Sequence, residues 1–254
     1  MAHVIITGAA DGIGRALALH YGAGRHAITI VDVDRELAAR THAELAAQGV
    51  SARVVHADLA TPLGQDQALA ELSAGPPADI LIHSAGISAV GRFGEVAPER
   101  QQTVIRVNFE APLVLTAGML AKRRISRGGT LVFIASLSVF TGYPGALGYA
   151  ASKDGLAAYA RSLRSALGRE QINVLSVYPG PTRTAHARRY SPDNRREQRR
   201  MPPERLAELI AAAVARRDQH LLPGPGARFF ALLGNYFPGL TEYAMRRTIY
   251  DRLP

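Results

Sequence analysis

The chain predicts an α/β fold: an open, doubly wound parallel sheet in a single domain, followed by a C-terminal helical extension. Three observations carry that prediction. Short apolar runs alternate with longer stretches of helical periodicity, the signature of parallel strands joined by covering helices. The 254 residues are 47% hydrophobic and 20% charged, enough for one sizeable core, and no repeat, low-complexity tract or linker divides them. A glycine-rich turn follows the first apolar run directly and opens the first helical stretch.

Taken in order, Val4 to Ile6 is a first strand, apolar throughout as strands buried on both faces are. Gly14 to Ala23 then carries Ala and Leu at helical spacing. Ile28 to Val31 is the second strand, and Asp34 to Gln48 a helix opened by an acidic cap. Ala52 to His56 and Ile80 to His83 are the third and fourth strands, each bounded by Gly, Pro, Ser or Asp. Pro98 to Arg127 is expected as one long helix with proline at its start. Thr130 to Ala135, a helix over Tyr149 to Arg169, Ile172 to Tyr178 and a short seventh strand near His220 to Leu222 complete the alternation. Beyond it, Phe229, Leu232, Leu233, Tyr236 and Phe237 recur on one helical face, and Leu240, Tyr243 and Ala244 begin another after Pro238-Gly239.

Composition removes several classes of function. With no cysteine, disulfide staples, zinc fingers, thiol nucleophiles and iron–sulfur ligation are excluded. No His, Asp and Glu cluster has metal-ligand spacing, so no metal is expected. Met-Ala-His runs straight into the first strand with no charged leader, and no apolar run nears the roughly 18 residues that span a bilayer, so a cytoplasmic chain is expected. The net charge is +9, and from Arg183 onward 14 Arg face 7 acids. Such a surplus is ordinarily a solvated face, and without aromatic–basic interleaving no nucleic-acid partner is expected.

The chemistry concentrates in a few places. In Thr7-Gly8-Ala9-Ala10-Asp11-Gly12-Ile13-Gly14, glycine at 8, 12 and 14 clears the approach of a phosphate to backbone N–H groups at a helix N-terminus. Asp32 closes the second strand, where a carboxylate accepts both ribose hydroxyls and repels a 2′-phosphate. NAD is therefore favoured, with NADP the alternative through Arg35. Tyr149 and Lys153, four apart, share one helix face, and an ammonium one turn away would lower a phenol that otherwise titrates near 10. Ser136 ends the fifth strand on the side where open α/β sheets bind ligands, with Ser138 two residues on. Either serine could equally cap a turn.

With these residues in place, the chain resembles the short-chain dehydrogenase/reductase family, single-domain and Rossmann-like, from Thr7 to about Leu222. The turn from Gly8 through Asp11, Gly12 and Ile13 to Gly14 matches the family's cofactor turn. Asp58, with Leu59, matches its adenine-contacting aspartate, and Ala85-Gly86 the end of its Asn-Asn-Ala-Gly segment. Asn108, Ser136, Tyr149 and Lys153 match its catalytic tetrad, and Pro179-Gly180-Pro181-Thr182-Arg183-Thr184 the loop that receives the nicotinamide carboxamide. One departure is His83-Ser84 in place of the two asparagines. Ser84, Ala85 and Gly86 are still expected against the cofactor, and His83 is given a structural role.

The resemblance implies hydride transfer between NAD or NADP and a secondary alcohol or ketone. It assigns Tyr149 as acid/base, Lys153 to tune it and hold the nicotinamide ribose, Ser136 to orient the substrate oxygen, and Asn108 to fix a water in a proton relay. The domain is expected over 1–222, with an Arg-rich substrate loop at about 183–203 whose charge would suit an anionic handle such as that of an acyl thioester. Residues 223–254 would pack on this domain or on a partner, with peripheral membrane contact through 226–250 the less favoured reading. A homodimer or homotetramer is implied, built through Pro98–Arg127 and Tyr149–Arg169. A 3-oxoacyl thioester reductase is the alternative substrate class, and a catalytically silent cofactor-binding scaffold or regulator the alternative function.

Overall fold

The computed structural model describes residues 1–92, 94–191 and 193–253, so Pro192 of the expected substrate loop and Pro254 of the extension lie outside the described residues. The Val- and Ile-rich runs form strands β1 (His3–Thr7), β2 (Ala27–Asp32), β3 (Ala52–His56), β4 (Ala78–His83), β5 (Ile125–Ile134), β6 (Asn173–Val177) and β7 (His220–Leu221). They pair in the order β3-β2-β1-β4-β5-β6-β7, every pair parallel.

Alternate side chains of each strand feed two core layers. Val4, Ile6, Val132 and Ile134 face α1 (Gly12–Ala23), through Leu17, and a helix at Pro203–Ala215, through Leu206 and Ile210. Ile5, Leu131 and Phe133 face the opposite layer of α3 (Pro62–Ala74), α5 (Ala111–Ala121) and α6 (Leu147–Ala166), through Leu72, Leu115, Met119 and Leu156. Between β2 and β3 runs α2 (Arg35–Ala47), capped by the Asp34 carboxylate accepting from the Leu37 N–H at 3.0 Å. The strand order reverses between β1 and β4, which opens a crevice at the carboxyl edge of the sheet.

The structure corrects the expected elements in four places. Pro98–Arg127 is not one helix: α4 (Pro98–Ile105) passes through a π-helical turn, Arg106–Glu110, into α5, which ends at Ala121. Arg123, at φ +53°, then turns the chain into β5. This composite helix is long and apolar enough to cross a membrane by composition alone, yet Val104, Leu115 and Met119 are buried in the fold. Helix α3 went unanticipated because its buried face is Gly64, Gln65, Ala68 and Leu72, which makes no apolar stripe. The Arg-rich stretch is partly helical: α7 (Ala185–Tyr190) and a single turn at Glu197–Arg199 precede α8 (Pro203–Ala215).

The fourth correction concerns the extension, α9 (Pro225–Tyr236) and α10 (Pro238–Thr248). Its small residues Ala227, Ala231 and Gly234 are the buried ones, and a Cβ at Gly234 would fall on the Phe140 carbonyl oxygen. The aromatic face points outward, with Phe229 67% and Tyr236 74% exposed and Leu232, Phe237, Leu240 and Tyr243 more than half exposed.

His83, at the end of β4, is a core residue. Its Nε2 shares a 2.8 Å hydrogen bond with the Thr116 hydroxyl, its ring stacks on Phe133 at 5.1 Å, and its buried Nδ1 meets no partner among the described residues. Burial pulls the imidazole down to about 3, so it is neutral in the fold. The unfolded chain binds that proton below about 6.5, so the stability it confers is lost as pH falls from about 6.5 towards about 3. At pH 5 this comes to about 2 kcal/mol. Urea unfolding at pH 7 and pH 5 should therefore show a smaller pH-dependent loss in His83→Gln than in the parent chain.

Candidate active site

Two backbone segments meet at the sheet's carboxyl edge. The Thr7 hydroxyl oxygen accepts from the Ser84 and Ala85 N–H groups, both at 3.2 Å. Gly8, at φ +68°, lies so close that a Cβ there would come within 2.6 Å of the Ala85 Cα, and one at Gly14 would fall on the Gly8 carbonyl oxygen. Gly12, Ile13 and Gly14 begin α1, so their N–H groups have no acceptor within the helix, and all three line the cavity that opens there. A glycine-walled cradle of unpaired amides at a helix N-terminus fits a pyrophosphate.

The rest of that wall follows the strand ends. Asp32 accepts through one carboxylate oxygen from the Ala10 N–H at 2.9 Å and through the other from the Asp34 N–H at 3.1 Å. Asp58 accepts from the Ala60 N–H, beside Leu59, and Asp11 is exposed at the mouth of the turn. Ser84, Ala85 and Gly86 form the floor, and Pro179, Gly180, Thr182 and Thr184 the opposite lip. Thr184 caps α7 through the Ala187 N–H, and Thr182 bridges to Met201.

Ser136, Tyr149 and Lys153 line the same cavity, of about 1270 Å³. Small-molecule sites usually measure about 300–1,000 Å³, so a cofactor and a substrate fit together here. The Lys153 ammonium donates to the Ile134 carbonyl at 2.8 Å and lies 5.7 Å from the Tyr149 ring centre. Burial lowers Lys153 to about 8 and raises the Tyr149 phenol, against which the neighbouring Ser136 hydroxyl pulls it down. The lowering expected from Lys153 does not appear, and desolvation sets the direction for the phenol. Ser136 also caps the turn that follows it, accepting from the Ser138 N–H at 3.1 Å, so the capping and site readings of this serine coincide.

Asn108 is the one predicted site residue not on the cavity wall. It lies in the π-helical turn, fully buried, donating to the Ile87 carbonyl (2.9 Å) and the Ser152 hydroxyl (3.0 Å) and accepting from the Ile87 N–H (2.9 Å). Ser152 in turn donates to the Tyr149 carbonyl at 2.7 Å. The Asn108 carboxamide is therefore a brace between the floor and the first turn of α6.

Several cavity residues were not anticipated. His186 on α7 stands with its ring 6.3 Å from that of Tyr149 and is pulled down to about 4 by burial and by Lys153. Tyr143 packs edge-on to Tyr149 at 6.4 Å. Phe230, Met245 and Ile249 bring the extension over the same end. Their alternating aromatic and aliphatic types carry no signal that separates them from ordinary core. The arrangement as a whole can bind a dinucleotide along the strand ends and exchange a proton at Tyr149 with a substrate held under the extension.

Comparison with known proteins agrees with this geometry. Residues 2–195 match the short chain dehydrogenase family. A Bos taurus protein, dehydrogenase/reductase SDR family member 7B, is 30% identical over 93% of this chain and 78% of its own length. The 1-deoxy-11-beta-hydroxypentalenate dehydrogenase of Streptomyces exfoliatus is 35% identical over 69% of this chain and 66% of its own. A short-chain dehydrogenase from Sphingobium yanoikuyae, solved with NADPH, superposes with a TM-score of 0.81 at 28% identity, covering 95% of each chain.

Replacing Asn108 with alanine would take the side-chain partner from both backbone groups of half-buried Ile87. Urea unfolding should show Asn108→Ala less stable by about 2 kcal/mol or more, and Ser152→Ala, which leaves the Ile87 pairing intact, by clearly less.

Proposed function

The chain belongs to the short chain dehydrogenase family of NAD(P)-dependent oxidoreductases, and we propose that it interconverts an apolar secondary alcohol and its ketone with Tyr149 as the proton-exchanging group. The observation that carries this reading is the convergence of Ser136, Tyr149 and Lys153 with the turn Gly8–Gly14 in one cavity. When bound, the nicotinamide cofactor supplies the hydride acceptor or donor. The amides of Gly12 to Gly14 would hold its pyrophosphate and Lys153 its nicotinamide ribose. Ser136 donates to the substrate oxygen, and Tyr149 gives that oxygen a proton in reduction or takes one in oxidation. Asn108 and Ser152 act as positioning residues, fixing the turn of α6 that presents the phenol.

NAD is the cofactor we propose to be preferred. Asp32 stands at the end of β2 on the cavity wall with a negative charge where a 2′-phosphate would lie, and Asp11 adds no cation beside it. The Sphingobium relative solved with NADPH makes phosphate acceptance the competing outcome. The apolar substrate class follows from Phe230, Met245 and Ile249 at the Tyr149 end. Assembly as a homodimer or homotetramer through the α4–α5 and α6 helices completes the proposal.

Three measurements test it. Nicotinamide absorbance with a panel of ketones and alcohols should show turnover, and Tyr149→Phe should lower kcat by about 10²–10⁴-fold without weakening cofactor binding. Full turnover by that variant would overturn the mechanism. The parent chain should prefer NADH to NADPH in kcat/KM, and Asp32→Ala should shrink that preference. Because burial raises the phenol, it stays protonated through neutral pH. Ketone reduction should therefore hold through neutral pH, whereas alcohol oxidation should rise into the alkaline range.

A further inference from the structure

The substrate end of the cavity holds a cation, Arg200, that makes no direct ion pair among the described residues, although Glu197 lies within its electrostatic reach. Arg200 stands next to Met201 and within electrostatic reach of Tyr143, which packs on Tyr149. Its Nη2 donates to three neutral acceptors: the Ser191 hydroxyl at 2.9 Å, the Asp193 carbonyl at 2.9 Å and the Asn194 side-chain oxygen at 2.8 Å. Its Nη1 is buried and, among the described residues, meets no acceptor. The nearby carboxylates are engaged elsewhere. Glu197 is held in a two-pronged pair by Arg188, and Asp193 by Arg195 with Arg252 at 4.0 Å. Among the described residues, three of the six buried side-chain atoms without a partner sit on residues that line this cavity, Ser138, Thr141 and Arg200.

A half-buried guanidinium on a cavity wall, held by neutral acceptors and without a direct carboxylate partner among the described residues, is completed when an anion enters the cavity. Its planar fork matches a carboxylate. We propose that Arg200 receives a carboxylate on the substrate, so that the enzyme acts on apolar ketones or alcohols that carry an acid group. The inference rests on the oxidoreductase reading above and names the substrate class of that site. A carboxylate is favoured over the phosphates of a thioester carrier because Arg200 sits among Tyr143, Met201 and Ser191 inside the cavity. The exposed Arg196 and Arg199 stand at its rim.

The test uses the full chain with cofactor and three probes: benzoylbutyrate, its neutral methyl ester, and acetoacetyl coenzyme A. The parent chain should reduce the acid with a kcat/KM about ten- to a hundred-fold above that of the ester. Arg200→Gln should erase that advantage while leaving the ester rate in place, and Arg200→Lys should retain part of it. Equal rates for acid and ester, an equal loss of both in Arg200→Gln, or an advantage that follows Arg196 or Arg199 would overturn the inference. So would an Arg200-dependent preference for the coenzyme A thioester. Calorimetric titration with benzoylbutyrate separates the two readings. If no ketone is turned over, the oxidoreductase reading fails, while binding to the parent chain and not to Arg200→Gln still supports the carboxylate site. Equal binding to both would overturn it.

Discussion

The site depends on one close approach, that of Gly8 to Ala85 across the gap between the ends of β1 and β4. A parallel sheet whose order reverses there leaves two loops diverging from adjacent strands. The Thr7 hydroxyl and the missing Cβ of Gly8 close them onto each other. Once that contact is made, the first amides of α1 and the floor at Ser84–Gly86 stand at a fixed separation. The dinucleotide cradle is then a property of backbone rather than of mobile side chains. Asp32 reinforces it by accepting from Ala10 in the same turn, so the proposed ribose contact and the shape of the phosphate turn share one carboxylate.

The groups proposed to carry the proton chemistry are anchored in the same way. Lys153 donates to a carbonyl of β5, Ser136 ends that strand, and Tyr149 is tied through Ser152 and Asn108 to the loop after β4. Each group is thus referenced to the sheet, while the substrate proposed here would meet the loops above. The buried phenol and the lowered ammonium show the cost of that enclosure: both charged forms are disfavoured until something polar enters the cavity. The unpaired nitrogen of Arg200 shows the same tension at the substrate end.

How much of this could be read from the chain alone follows from which residues carry the signal. The strands were legible because Val and Ile runs such as Val4–Ile6 have no competing reading at that length. The cofactor turn, Tyr149, Lys153 and Ser136 were legible because fixed spacing ties their chemistry together. Helix α3 was not, since Ala68 and Leu72 are too sparse to make a stripe. Arg200 was hidden among fourteen arginines, because only the fold distinguishes a desolvated guanidinium from solvated ones. In α9 periodicity marked the large residues, yet close packing selected Ala227, Ala231 and Gly234, whose small size lets the helix approach its neighbour. Asn108 was found through its match to the family's tetrad, but its brace to Ile87 and Ser152 was not legible, because sequence carries no record of the π-helical turn that buries it.

Gly234 rests on the carbonyl of Phe140, in the short turn that Ser136 caps. The roof of the cavity is therefore mounted on the short turn that follows Ser136, the serine proposed to bind the substrate oxygen. Grafting a different roof to admit other molecules can exchange the outward aromatic surface and the inward Phe230, Met245 and Ile249 freely. The foothold itself is not exchangeable, because any bulk added there would be transmitted as a tilt of the serine below.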